Sequence, residues 1–439
     1  MRPITLAVLM SASAFGSSAA QPHPTPEIPE GEFSPAAEVA FAELTELVSE
    51  GQFDYQLLRT AVDRGDVRGA WYIVDLLRFV QEGQPRVALE EAFARQTGIP
   101  TPEDTSVFLW GTNRMLSWGI PAWDGYKDLK RQLFVWIDYR WAPFFDQDHG
   151  VDWRILTWGG VQPDDRPFGD NSPCHCIPSL DNPGTTSAKG GNWYDDDKIV
   201  FGLVVNGEAI AFPKNQMEVH EMVNMTLGGR AIGVPYCTLC GTAQAFFTDE
   251  VPGIERLVLR TSGLLSRSNK AMYDQATGSL FDTFQGVALT GSLGEQGVEL
   301  RQASVAVTTW GDWKRAHPDT RILAEDGGIG RSYWEDPLRG RDDNGPIFPI
   351  GDVDPRLPVQ ELVLGVTNAE GKPVAFAVSA ATRALEAGEP VQFEGLTVRL
   401  VDGLRVFDAA GNEVTSHQSF WFAWSQFNPA TLLWEPGPN

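Results

Sequence analysis

A pattern of two tryptophans, a proline and a threonine occurs twice in the chain in the same register. Trp310-x-x-Trp313-x-x-x-His317-Pro318-x-Thr320 recurs as Trp421-x-x-Trp424-x-x-x-Asn428-Pro429-x-Thr431. Each copy is preceded by a matching pair of apolar runs: Phe201-Gly202-Leu203 through Ala211-Phe212 is answered by Leu364-Gly365-Val366 through Ala375-Phe376. Such self-similarity predicts copies of one structural unit. The unit is β-rich, because 199–205 and 208–212 flank Asn206-Gly207, the tight-turn dipeptide whose two residues both need positive φ. Further strands are expected at 231–235, 255–261, 280–284 and 298–300, and Asp402-Gly403 marks another hairpin. The second copy is shorter, holds no Cys and has His417 as its single His. The tryptophans read as packing anchors, given the apolar area each buries.

Before residue 136 the texture is helical. Ser34-Pro35 reads as an N-cap and first helical position, and Ala37, Ala40, Phe41, Leu44, Leu47 and Val48 recur at helical spacing up to Gly51. Residues 66–81 and 88–96 are further amphipathic pieces. A chain of 439 residues exceeds one hydrophobic core. The predicted class is therefore α+β, a small N-terminal helical region followed by a β-rich body made of two related, unequal repeats. The expected spans are a secretory leader over 1–20, a Pro-rich tether over 21–32, the helical region over 33–135, a β-rich domain over 136–345, and the degenerate repeat over 346–439.

The leader is read from Arg2, the short apolar run 4–15 and the small residues Ser18-Ala19-Ala20 before Gln21. It predicts a periplasmic or secreted protein with no membrane span, since no later stretch reaches eighteen apolar residues. A formal charge of -24 repels phosphate backbones and excludes nucleic acid as a partner class.

Chemistry concentrates in Tyr236-Cys237-Thr238-Leu239-Cys240-Gly241. Two Cys separated by two residues can turn both sulfurs on one centre, and the following Gly permits the tight turn this needs. The form is that of a metal knuckle and equally of a redox dithiol; a structural disulfide or inert thiols are the plain alternatives. No His follows Cys240, which excludes covalent haem attachment. Upstream, 217–225 is expected to form a short helix ended by Gly228-Gly229, with His220 and Asn224 on one face. Thioether from Met222 with imidazole and thiolate favours copper, and Cys with His alone suits zinc. Against this stand core filling for the methionines and an ordinary hydrogen bond for His220. Pro173-Cys174-His175-Cys176 is a second thiol cluster; a bridge between its two Cys is expected to be strained, so each is predicted to pair elsewhere or bind metal. His317 and its counterpart Asn428 read as turn caps. There is no nucleophile elbow, phosphate-cradling Gly loop or His-Glu-x-x-His helix, hence no nucleotide cofactor.

These motifs fall in a recognisable order: 176–183 with Ile-Pro-x-Leu-Asp-Asn-Pro, the Asn-Gly hairpin, His220-Glu221-x-x-Asn224, and Tyr236-Cys237-x-x-Cys240. Ser262-Gly263-Leu264-Leu265, Met272-Tyr273-Asp274 and Thr309-Trp310-x-x-Trp313 with His317-Pro318-Asp319-Thr320 follow. Together they resemble the uncharacterised family catalogued as domain of unknown function 3179, over about residues 170–435. The resemblance supplies no reaction. It implies emphasis on His220, Glu221, Asn224, Cys237 and Cys240, with Met225 where the family usually has Asp and Thr238 where it often has Pro.

The expectation is an exported protein with a copper or zinc site built from His220, Cys237 and Cys240. Glu221 and Asn224 orient the imidazole, and Cys174, Cys176 and Met222 are possible additional ligands. The alternatives are a thiol–disulfide protein using the same Cys pair, and a non-catalytic scaffold whose helical region docks a protein partner. The sequence does not decide whether the chain is an enzyme.

Overall fold

The computed structural model describes residues 24–103, 105–341 and 344–436; the expected leader lies outside them. Helices Pro35–Ser49, Tyr55–Val62, Ala70–Phe79, Gln84–Thr97, Val107–Ser117 and Tyr126–Ile137 follow one another, and short polar residues start several of them. Asp54 accepts from the Gln56 and Leu57 amides and Ser106 from Leu109, satisfying N–H groups that the first turn leaves free. The apolar faces of these helices share one core with Leu156, Leu264, Tyr273 and Leu280 of the β body. Trp141 Nε1 also donates to Ser262 O at 2.8 Å. The helical region thus spends its apolar face on this chain's own body. Among the described residues no helix is long and apolar enough to cross a membrane.

The body corrects the expectation of two unequal repeats, because its described residues divide into five sheets. The first runs Leu156–Trp158, Leu259–Ser266, Asn269–Asp274, Leu280–Asp282. The second runs Gln302–Ala303, Ala245–Phe247, Arg230–Cys237, Met222–Leu227, Leu180–Asp181, with Thr242–Ala243 also on Arg230–Cys237. The third runs Ala306–Thr309, Ile199–Val205, Glu208–Pro213, Arg321–Leu323, Thr185–Ser187. The fourth is Ser416–Phe420, Leu362–Thr367, Pro373–Ala377, Leu432–Trp434, and the fifth Val391–Phe393, Leu396–Leu400, Leu404–Phe407, Glu413–Val414.

What the repeated residues encode is one sheet each, not one half of the body. The third and fourth sheets share the order antiparallel, antiparallel, parallel across their four matching strands. In both, a tryptophan lies over the glycine of a central strand, Trp313 on Gly202 and Trp424 on Gly365, where any Cβ would collide with the indole. Each indole then donates to the repeat's threonine, Trp313 to Thr320 at 2.9 Å and Trp424 to Thr431 at 2.8 Å. The other three sheets have no counterpart in the repeat.

Shared cores order the sheets. Met222 and Phe246 of the second pack with Leu259, Met272 and Phe281 of the first. Val223 and Ile232 of the second meet Phe201 and Leu203 of the third. His317, closing the helix of the third sheet, contacts Asp402 at the turn of the fifth at 2.7 Å. Val391, Val398 and Val406 of the fifth pack with Leu364 and Phe376 of the fourth. Phe284, just past the first sheet, stacks on Phe427 behind the fourth at 4.6 Å. The contacts close on themselves, giving a propeller-like arrangement of five sheets.

Candidate functional site

The segment around His220 differs from its sequence expectation. The helix Lys214–His220 stops at once, Glu221 takes φ 51, and Met222–Leu227 is a strand. Gly228 and Gly229, both at positive φ, form the turn into Arg230–Cys237 rather than ending a helix. His220 and Asn224 therefore do not share a helix face. Met222 is buried with Phe246, Leu257 and Met272 as core.

The imidazole is held at both nitrogens. Nδ1 lies 2.7 Å from Pro178 O, and Nε2 lies 2.8 Å from the Tyr333 hydroxyl. A carbonyl only accepts, so Nδ1 carries the proton and Nε2 accepts from the phenol. Burial pushes the His220 pKa down to about 4, against the bond to Pro178 that favours the proton. Asn224 exchanges hydrogen bonds with the Leu259 backbone and donates to Asp181, and the Glu221 carboxylate accepts from Thr238; neither orients His220.

The cysteines are also committed. Cys237 and Cys240 form a disulfide, 3 % and 1 % exposed, packed among Phe284, Trp421 and Phe422. Cys174 and Cys176 are bonded to each other, against the expectation that such a bridge would not form; the backbone bends to bring their Cα atoms to 5.1 Å, an ordinary disulfide span. Among the described residues the metal-competent group is Asp164, Cys174 and Cys176, whose ligand atoms lie within 4.8 Å of one another. His220, Cys237 and Cys240 are not gathered in that way. As a disulfide the two sulfurs offer no thiolate, and the Asp164 oxygens already accept from Arg166 at 2.7 and 2.9 Å and from the Ser179 amide at 2.7 Å. The donor set fits a metal only once reduced.

A cavity of about 240 Å³ opens between the first two sheets. Lys270, on the second strand of its hairpin, reaches into its wall with 5 % of its side chain exposed. Its ammonium donates to Glu221 O and sits 3.6 Å from Glu221 Oε2, while Thr238 donates to Oε1 at 3.0 Å. Burial pushes the Lys270 pKa down to about 8, with Glu221 pulling the other way. A non-glycine residue at positive φ stores strain, and at Glu221 that conformation turns both the carbonyl and the carboxylate toward Lys270. Leu239, Leu264, Ile347 and Phe348 make the rest of the wall largely apolar.

A family model described as protein of unknown function, DUF3179, matches residues 174–406. The chain belongs to this family. No curated protein and no solved structure matches it. The DUF3179 motifs converge on the cavity: Glu221 comes from His-Glu-x-x-Asn, Thr238 and Leu239 from inside Cys-x-x-Cys, and 262–265 from Ser-Gly-Leu-Leu. The disulfide closes the turn that presents Thr238 and Leu239 there.

Sequence reasoning missed Lys270 and Tyr333. A signal existed for the first, since Lys270 is in strand phase with the core residue Met272. Tyr333 lies outside regular structure and carries no local signal.

Proposed function

We propose that this DUF3179 protein binds a small carbonyl compound in the cavity beside Lys270 and engages it through the lysine amine. The supporting observation is a buried amine against a carboxylate, on the wall of a largely apolar cavity. At neutral pH about a tenth of an amine with a pKa of about 8 is unprotonated, and a neutral amine attacks carbonyl carbon. The nitrogen adds to the carbonyl; Glu221 relays one of the two amine protons to the oxygen to form the hydroxyl and then the second to that hydroxyl, and water leaves to give the imine. A volume of about 240 Å³ falls below the roughly 300–1,000 Å³ of pockets that take drug-sized ligands, so the ligand is small.

Borohydride trapping with propanal or pyruvate is expected to place a reduced adduct on Lys270 in peptide mass spectra. Lys270→Arg keeps the charge, cannot form the imine, and is expected to lose the adduct entirely. Glu221→Gln is expected to slow trapping by about 10²-fold, the usual share of a positioned acid–base group. Labelling of Lys270 no greater than that of exposed lysines overturns the proposal.

Export to the periplasm or beyond is part of the same proposal, because both disulfides would persist in an oxidising compartment. A second proposal, copper or zinc held by reduced Cys174 and Cys176 with Asp164, is supported by the grouping of those ligand atoms. It predicts one equivalent of metal taken up after reduction and none before. Equal uptake by Cys174→Ser rejects it.

A further inference from the structure

The two disulfides differ in what can reach them. Cys237 and Cys240 are buried among Phe284, Trp421 and Phe422, so a reagent has no approach to that pair in the folded chain. Cys174 and Cys176 are partly exposed, in a loop outside the five sheets where Asn171, Ser172, Pro173 and His175 are fully exposed. Accessible bridges are the ones that external thiols exchange with. A crosslink's hold on the unfolded chain also weakens as the loop it closes shortens, and these two cysteines stand two residues apart. The bond is therefore a poor staple in an open position.

The loop keeps its place without it. Ahead of the pair, the Gly169 amide donates to Asp181 Oδ2 at 2.8 Å and Arg166 to Ser172 O at 3.3 Å. Behind it, Thr261 donates to Ile177 O at 2.7 Å, His220 to Pro178 O, and the Ser179 amide to Asp164. Between the two sulfurs, the Gln162 amide holds His175 O at 3.0 Å. None of these contacts uses sulfur, so the bridge can open while its surroundings stay folded.

The spacing also selects the reagent. When a thiolate opens the bridge and becomes bonded to one cysteine, the other is held beside that mixed disulfide at a high effective concentration. It expels a monothiol and restores the bond. A dithiol escapes this, because its own second sulfur resolves the mixed disulfide within the same molecule. We propose that Cys174–Cys176 is an exchange site that accepts an electron pair from an external dithiol. The donor's first thiolate attacks one cysteine sulfur, the Cys174–Cys176 bond breaks, and the displaced sulfur takes the proton which that donor thiol gave up. The donor's second thiolate then attacks its own first sulfur and releases the remaining cysteine, which takes the second proton. The donor leaves oxidised to its disulfide, and the chain keeps two thiols. The step involves neither Lys270 nor a metal ion and stands or falls separately from both.

The test treats the folded full chain with dithiothreitol in the presence of a chelator and quenches with N-ethylmaleimide at intervals. Peptide mass spectra then read the label on each pair. Cys174 and Cys176 are expected to be labelled together about 10²-fold faster than Cys237 and Cys240, which need a local opening first. Glutathione at the same thiol concentration is expected to be about tenfold slower. Cys176→Ser removes the sulfur that expels a monothiol, so oxidised glutathione is expected to leave a stable adduct on Cys174 that the reduced parent does not accumulate. Equal labelling rates for the two pairs overturn the proposal, as does labelling of Cys174 and Cys176 that begins only in urea that unfolds the chain. Reduction by glutathione as fast as by dithiothreitol overturns the assignment to dithiols.

Discussion

Replacing Asp181 by alanine is expected to destabilise the fold by about 3–5 kcal/mol, the usual consequence of stripping one partner from a buried ion pair. Arg260 and Asp181 are 1 % and 2 % exposed at their side chains, and the guanidinium meets both carboxylate oxygens at 2.9 and 2.8 Å. Asn224 Nδ2 donates to Asp181 Oδ1 at 3.0 Å and the Gly169 amide to Oδ2 at 2.8 Å. Asn224 also trades hydrogen bonds with the Leu259 backbone, which ties the second sheet to the first. Alanine leaves the Arg260 charge buried without the carboxylate that meets it directly and loosens Asn224 at the same time. Urea denaturation gives the comparison. The double variant Asp181→Leu with Arg260→Met is expected to recover most of the loss, because an apolar pair of similar volume needs no desolvated charge. A loss below about 1 kcal/mol in the single variant would show that the network does not hold the sheets together.

Asn224 belongs to the motif that, on sequence, pointed to metal chemistry, and its work here is to join two sheets. The difference marks where sequence stops being informative. Asn206-Gly207 announced its hairpin because the turn depends on two adjacent residues, and both take positive φ. Asp402-Gly403 did the same for Leu396–Leu400 and Leu404–Phe407. The paired tryptophans and threonines were visible because each copy builds the same internal bond. The five-sheet division was not, since strands as short as Leu180–Asp181 and Thr242–Ala243 have no periodicity to detect. Nor could sequence show the switch at Glu221, because Glu is not a residue that signals left-handed backbone. A helix continued through that point puts His220 beside Asn224. A helix stopped there sends the imidazole to Pro178 and Tyr333 and the carboxylate to Lys270. One backbone conformation thus sends the two neighbouring motif residues in different directions, with Glu221 in the wall of the cavity that holds Lys270.

Between pH 7 and pH 4.5, His220 and His417 together are expected to remove about 4–5 kcal/mol of stability. Both are buried, 2 % and 7 % exposed, and burial pushes the pKa of each down to about 4. An unfolded histidine titrates near 6.5. On acidification the unfolded chain therefore takes up protons that the folded one refuses, and stability falls from about pH 6.5 until the folded pKa is reached. Each group contributes about 2 kcal/mol over that interval, from 1.36 kcal/mol for each pH unit between its two pKa values. Asp282 works the other way: burial raises it to about 6, so it is protonated in the folded state and gains stability as pH falls to about 4. Asp75 and Asp274, also raised by burial, act in the same direction as Asp282. A comparison with variants isolates the histidine share. His417 accepts from Gln302 Nε2 at 3.1 Å, packs its ring against Phe284 and Trp424, and shares its cavity with Glu299. His417→Gln removes the titrating ring, so the parent is expected to lose about 2 kcal/mol more than this variant between the two pH values in urea denaturation. His220→Gln is expected to show the same difference, and parallel pH profiles for parent and both variants would mean that the two rings are charged in the folded protein.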